Sequence, residues 1–110
     1  MRNQALDIFQ HADEGFREYG IALAQHTLGH ERESRAALGV LTKDYAQDFA
    51  MQIADVHAWR GEKDAAFTWL ERAYAQRDGG MSDLKFDPLL ASLHGDPRFA
   101  ALTRKMGLPP

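Results

Sequence analysis

Two glycines, Gly29 and Gly61, stand 32 residues apart, and each is followed by a matching packing triad. After Gly29 come Ser34, Leu38 and Leu41; after Gly61 come Ala66, Leu70 and Ala73. Spacings of four and three place each triad on one helical face. The small members let a neighbouring helix approach closely. A glycine before such a face ends the preceding helix cheaply, because it adopts a left-handed conformation without a Cβ penalty. The pattern therefore predicts a repeated helix–turn–helix hairpin. Its clearest copy is the stretch AWRGEKDAAFTWLERAYAQRDGG, from Ala58 to Gly80. Units of this kind stack and present a packed helical surface to a partner.

Composition narrows the function classes. The chain has 110 residues, 45% of them apolar, which suits one folded domain. Net charge is −3 and there is no basic run, so nucleic acid is not an expected partner. There is no cysteine, which excludes disulfides and thiolate metal sites. No apolar run approaches the roughly 20 residues of a membrane span. The opening MRNQALDIFQHADEG lacks the apolar block of a secretory leader. The expectation is a cytoplasmic protein with no membrane partner.

Read in order, the chain predicts about seven helices and no sheet, since nothing alternates with period two over a strand length. A first helix runs from Asn3 to Ala12, with Ala5, Phe9 and Ala12 on one side. Asp13 caps a second, from Glu14 to Leu28. A third spans Glu31 to Thr42. Asp44 and Gln47 form a capping box for a fourth, from Tyr45 to Arg60, with Phe49, Ile53 and Val56 as its stripe. The fifth covers Lys63 to Ala75, and Asp78-Gly79-Gly80 breaks it. Asp87-Pro88 and Asp96-Pro97 open two short helices, Pro88 to His94 and Pro97 to Met106. Gly107 and Pro109-Pro110 stop the last one. The helices after residue 80 carry Leu89, Leu90, Leu93, Phe99 and Leu102, and are read as covering the fifth helix.

At this point the chain resembles the tetratricopeptide-repeat family, whose unit is a helix–turn–helix of about 34 residues. Ala54, Gly61, Ala66, Leu70 and Ala73 match the family's packing slots. Ala22, Gly29, Ser34, Leu38 and Leu41 match them less closely. The family's first-helix tryptophan is replaced by Ala50 and Glu18, its mid-helix tyrosine by His57 and Gln25, and its closing proline by Ala46 and Asp78. From Phe49 to Leu108 the chain is similar to the C-terminal repeat region of bacterial regulatory proteins, through AWRGEKDAAFTWLERAY, LKFDPLL, DPRFAAL and MGLP. The resemblance implies an all-α antiparallel superhelix, right-handed and short. A partial repeat over residues 1–13, a degenerate repeat over 14–46 and a better one over 47–80 precede a C-terminal cap over 81–110. It also raises the expectation that these residues are part of a longer chain.

The family's groove is lined by the first helix of each unit. On that basis the partner-binding residues are Tyr19, Leu23 and His26 of one unit, with Met51, Asp55 and Trp59 of the next; Phe16 and Ala58 flank them. An aromatic, apolar groove with one carboxylate suits a peptide or protein partner. The competing reading fills the space beside Trp59 and Tyr19 with the chain's own terminal helices. The lysine–asparagine clamp of some members is missing, because Met51 and Asp55 occupy those slots.

Chemistry finds little purchase. His26 and His30 flank Gly29 at a helix end, and zinc would need a third ligand such as His57. Ser34 occupies a packing slot, and Ser82 has no histidine near it in sequence. No catalytic residue, metal or cofactor is expected. The function expected is protein–protein interaction, as a scaffold or as a homo-oligomer. The alternative is a regulatory or autoinhibitory C-terminal segment of a larger signalling or transcription-regulating protein. A small metalloprotein or hydrolase is the third class, which metal analysis and an activity screen would separate.

Overall fold

Five α-helices and two 3₁₀ helices make up the computed structural model, which describes residues 4–77 and 79–107; the side chains of residues 4–10, 79, 80, 82 and 83 fall outside that description. The helices are α1 (Gln4–Thr27), α2 (Glu31–Asp44), α3 (Ala50–Trp59), α4 (Lys63–Ala75) and α5 (Pro97–Lys105). The 3₁₀ helices are Gly79–Phe86 and Pro88–Leu93. No strand occurs among the described residues. The chain divides into two compact units, Met1–Phe49 and Ala50–Pro110.

Each unit is built on a hairpin closed by the same turn. The Gly29 N–H donates to the His26 carbonyl at 3.0 Å, and the His30 N–H donates to the Gln25 carbonyl at 2.8 Å. In the other hairpin the Gly61 N–H reaches Ala58 at 3.0 Å and the Glu62 N–H reaches His57 at 2.9 Å. These are Schellman motifs, which need a left-handed residue at the glycine. Gly29 and Gly61 supply it, at φ 82° and 80°. The residues after them, His30 and Glu62, enter the next helix at φ −93°, ψ 74° and φ −94°, ψ 74°. The 32-residue repeat seen in the sequence is thus repeated in backbone geometry.

In the first unit Ser34 is wholly buried, and its hydroxyl donates to the Ala22 carbonyl at 2.7 Å, tying α2 to α1. The corresponding residues of the second unit, Ala54 and Ala66, are both 0% exposed. There close approach needs only two small side chains.

Three expected boundaries are corrected. Asp13 caps nothing: it is an exposed residue in the middle of a continuous α1. A capping residue marks a start only where the preceding helix stops, and no glycine or proline stops this one. Gly15, two residues on, is tolerated inside the helix because Phe49 packs onto it. A Cβ there would lie 2.6 Å from the Phe49 ring and 3.0 Å from Tyr45. The Asp44–Gln47 capping box is also absent, since Asp44 is the last residue of α2 and α3 begins only at Ala50. Between them the Phe49 N–H closes one turn onto the Tyr45 carbonyl at 2.9 Å. That turn places Tyr45 and Phe49 in the core of the first unit, 7% and 4% exposed. Tyr45 stacks on His11, Phe49 meets the edge of Phe16, and the Tyr45 hydroxyl donates to Glu14. Burial, then the bond to Glu14, push the Tyr45 phenol above its ordinary value. The face expected from Ala5 and Phe9, the break at Asp78 and the stop at Pro109-Pro110 lie outside the described residues.

The third correction concerns the stretch between the expected break at Gly79-Gly80 and Pro88, where no helix was expected and the 3₁₀ helix Gly79–Phe86 forms. Its Met81 and Leu84 are three residues apart and buried, as are Leu90 and Leu93 of the next one. In a 3₁₀ helix residues three apart eclipse, so each pair forms a single ridge. Both ridges enter one core with Ala66, Phe67, Leu70 and Ala73 of α4 and with Phe99 and Leu102 of α5. Leu89 stays half-buried.

The Asp–Pro starts form as expected. Asp87 accepts from the Leu89 N–H at 3.0 Å and Asp96 from the Arg98 N–H at 2.9 Å. Arg98 also grips Asp96 through its guanidinium, reaches Asp64 at 2.8 Å and lies over the Phe67 ring. The side-chain bond from Arg98, then its backbone N–H, hold Asp96 down at about 2, against an ordinary 3.8. A depressed folded value means the stabilisation is complete above the unfolded value. It is lost as pH falls from about 4 towards 2. Asp96→Asn keeps a cap but loses the charge. Urea unfolding at pH 4, 3 and 2 should therefore show a shallower loss of stability for the variant than for the parent. Equal slopes would remove Asp96 from the acid response.

Candidate functional site

The last turn of α3 ends beside Gly61, and its groups are fixed by the turn itself. His57 Nδ1 and Glu62 Oε1 share a hydrogen bond at 3.0 Å across the glycine, and Arg60 Nε donates to the same oxygen at 3.1 Å. The Arg60 side chain is only 3% exposed. Burial alone would raise the Glu62 carboxyl, but the bonds from His57 and Arg60 outweigh it and the net shift is downward. A carboxylate held between two basic groups locks the rim of the turn. Trp59, two residues before Gly61, lies on this locked rim and is 43% exposed.

The first hairpin repeats the device with the partners exchanged. Gln25 and His30, the counterparts of His57 and Glu62, bond at 2.7 Å across Gly29. His26 and Glu31 form a second cross-turn pair. Tyr19, Leu23 and His26 stand at spacings of four and three along α1, all half-buried. They form one continuous face within the first unit. Phe16 continues it and is 53% exposed.

The second set divides. Trp59 reaches the surface, whereas Met51 and Asp55 are 3% and 5% exposed. Met51 belongs to the core of the second unit, with Ala54, Ala58 and Leu70. A methionine is flexible enough to fill the irregular space beside small alanines. The sequence expectation treated these positions as groove-lining; in the structure the Met51 side chain is spent on packing and Asp55 is a buried carboxylate. What α3 offers to solvent is its C-terminal end.

The cross-turn pairs escaped the sequence reading, although a signal existed. Residues five apart across each glycine, Gln25 with His30 and His57 with Glu62, are complementary hydrogen-bonding types. Such spacing is meaningful only once the glycine is known to reverse the chain.

Among the described residues, no three His, Asp or Glu side chains are grouped to hold a metal ion. The Ser34 hydroxyl is committed to Ala22, and the side chain of Ser82 lies outside the described residues. No helix among the described residues is long and apolar enough to cross a membrane. No family model, curated protein or solved structure matches the chain.

Proposed function

We propose that the chain is a tetratricopeptide-like interaction module that binds a peptide or protein partner through the first helices of its hairpins. The observation that carries this reading is Trp59: a large aromatic, 43% exposed, on a turn braced by Arg60, Glu62 and His57. A rigid, half-exposed tryptophan loses little entropy when a partner covers it, which is why such residues dominate binding energetics. The Tyr19, Leu23 and His26 face of α1 supports the same reading in the first hairpin. The partner chemistry is an apolar segment with a group able to bond to imidazole.

Display selection of a random peptide library against the chain supplies ligands, and calorimetry measures them. Trp59→Ala should weaken the selected peptides by about 30-fold, the equivalent of ~2 kcal/mol. Its thermal transition should move by only a few degrees, because much of the ring is already in water. Unfolding of the variant would make Trp59 a core residue. Unchanged affinity would place the binding face elsewhere.

A further inference from the structure

Four helices of this protein end with the same backbone bond, and one of the four uses the wrong kind of residue for it. The N–H groups of Gly29, Gly61, Arg77 and Gly107 each donate to the carbonyl three residues back, all at 3.0 Å. The three glycines have φ of 82°, 80° and 76°; Arg77 has φ 55°. It is the one non-glycine residue with positive φ among the described residues. A side chain in this region is held at a backbone cost that glycine avoids. Such outliers gather where the side chain has a task.

Arg77 lines a cavity of about 210 Å³, together with Tyr74, Met81, Lys105 and Met106. The second unit supplies every wall. Met81 is 4% exposed, and Met106 and Tyr74 pack against the core, so the interior is apolar and adaptable. The Tyr74 hydroxyl points to the Lys105 carbonyl at 3.4 Å, which fixes the ring. Lys105 Nζ sits 4.6 Å from the centre of that ring and 2.7 Å from Glu71 Oε2. Lys105 is thus already shared with a carboxylate. Arg77 forms no ion pair among the described residues.

We propose that this cavity binds a small organic carboxylate with a short apolar chain. The guanidinium fork of Arg77 matches a carboxylate with two parallel bonds. Met81, Met106 and the Tyr74 ring receive the chain, and Lys105, paired with Glu71, adds a second cation to the lining. The volume is below the roughly 300–1,000 Å³ typical of sites for drug-sized ligands, so the ligand has only a handful of heavy atoms. Inorganic phosphate satisfies the cations but leaves the methionine walls unused. The site does not depend on the peptide-binding reading and lies on different residues.

The test uses hexanoate as the probe, followed through the methyl signals of Met81 and Met106 in a carbon–proton correlation spectrum. Hexanoate should shift both methyls saturably, with a Kd of about 1 mM. Hexanol and inorganic phosphate should bind at least tenfold more weakly. Arg77→Gly should weaken hexanoate about tenfold while raising the Tm by a few degrees, because the backbone relaxes. Lys105→Gln should weaken it less. Absence of saturable shifts overturns the proposal. So does equal binding of hexanol or phosphate, or an Arg77→Gly variant that keeps its affinity or melts earlier than the parent.

Discussion

A chain ended after Gly80 should aggregate and lose its cooperative thermal transition. Among the described residues, six of the fourteen in the core cluster around α4, Met81, Leu84, Leu90, Leu93, Phe99 and Leu102, lie beyond that point. Burying a large apolar side chain is worth about 1.5–3 kcal/mol. Six of them amount to on the order of 10 kcal/mol, comparable to the whole stability of a typical domain. The segment removed also takes with it the ordering entropy it cost, so the net loss is smaller, but what remains is worse placed. Phe67 and Tyr74 of α4, which Arg98 and Lys105 lie over, would lose that cover, and exposed apolar faces associate. The ion pairs lost with it, Arg98 with Asp64 and Lys105 with Glu71, are exposed and matter little beside the apolar term. Size-exclusion chromatography and circular dichroism check this. A soluble monomer with an unchanged melting temperature would contradict it.

The second large effect is at Leu70. Its side chain is 0% exposed at the centre of the same core. Leu70→Ala removes the atoms and leaves a cavity. The neighbours on its face of α4, Ala66 and Ala73, are too short to lean into it. The site collapses poorly, and poorly collapsing sites lie towards the upper end of the usual about 2–5 kcal/mol. We expect a loss of ~3–4 kcal/mol, or a fall in Tm of about 15 °C. Leu70→Met, which keeps the volume, should cost less than about 1.5 kcal/mol. Urea unfolding gives both values. A Leu70→Ala variant within 1 kcal/mol of the parent would show that the core is not packed as described.

The hairpins were legible because glycine at a helix end and small residues at a helix contact are local requirements. Gly29 and Gly61 must be glycine to reach their backbone angles with no strain, so the sequence shows the turns directly. Asp87-Pro88 and Asp96-Pro97 were legible for the same reason: cap and proline act within one turn of helix. What failed depended on contacts distant in sequence. Asp13 reads as a cap until Gly15 is seen beneath Phe49, 34 residues away. Asp44 and Gln47 read as a capping box until Tyr45 and Phe49 are seen in the core. Met81 and Leu84 carried no expectation, because spacing by three alone does not separate a 3₁₀ ridge from chance. Within the candidate site, Trp59 keeps an exposed surface, while Met51 shows how a groove position inferred by family resemblance can instead be filled by packing.

The binding claim is tested most directly by amide shift mapping of a selected peptide on the isotopically labelled chain. Saturable shifts are expected at the C-terminal end of α3, around Trp59, or, for peptides that dock on the first hairpin, along the Tyr19, Leu23 and His26 face of α1. Residues on the exposed faces of α2 and α4 should stay in place. Shifts confined to α2 and α4, with Trp59 unmoved, would contradict it.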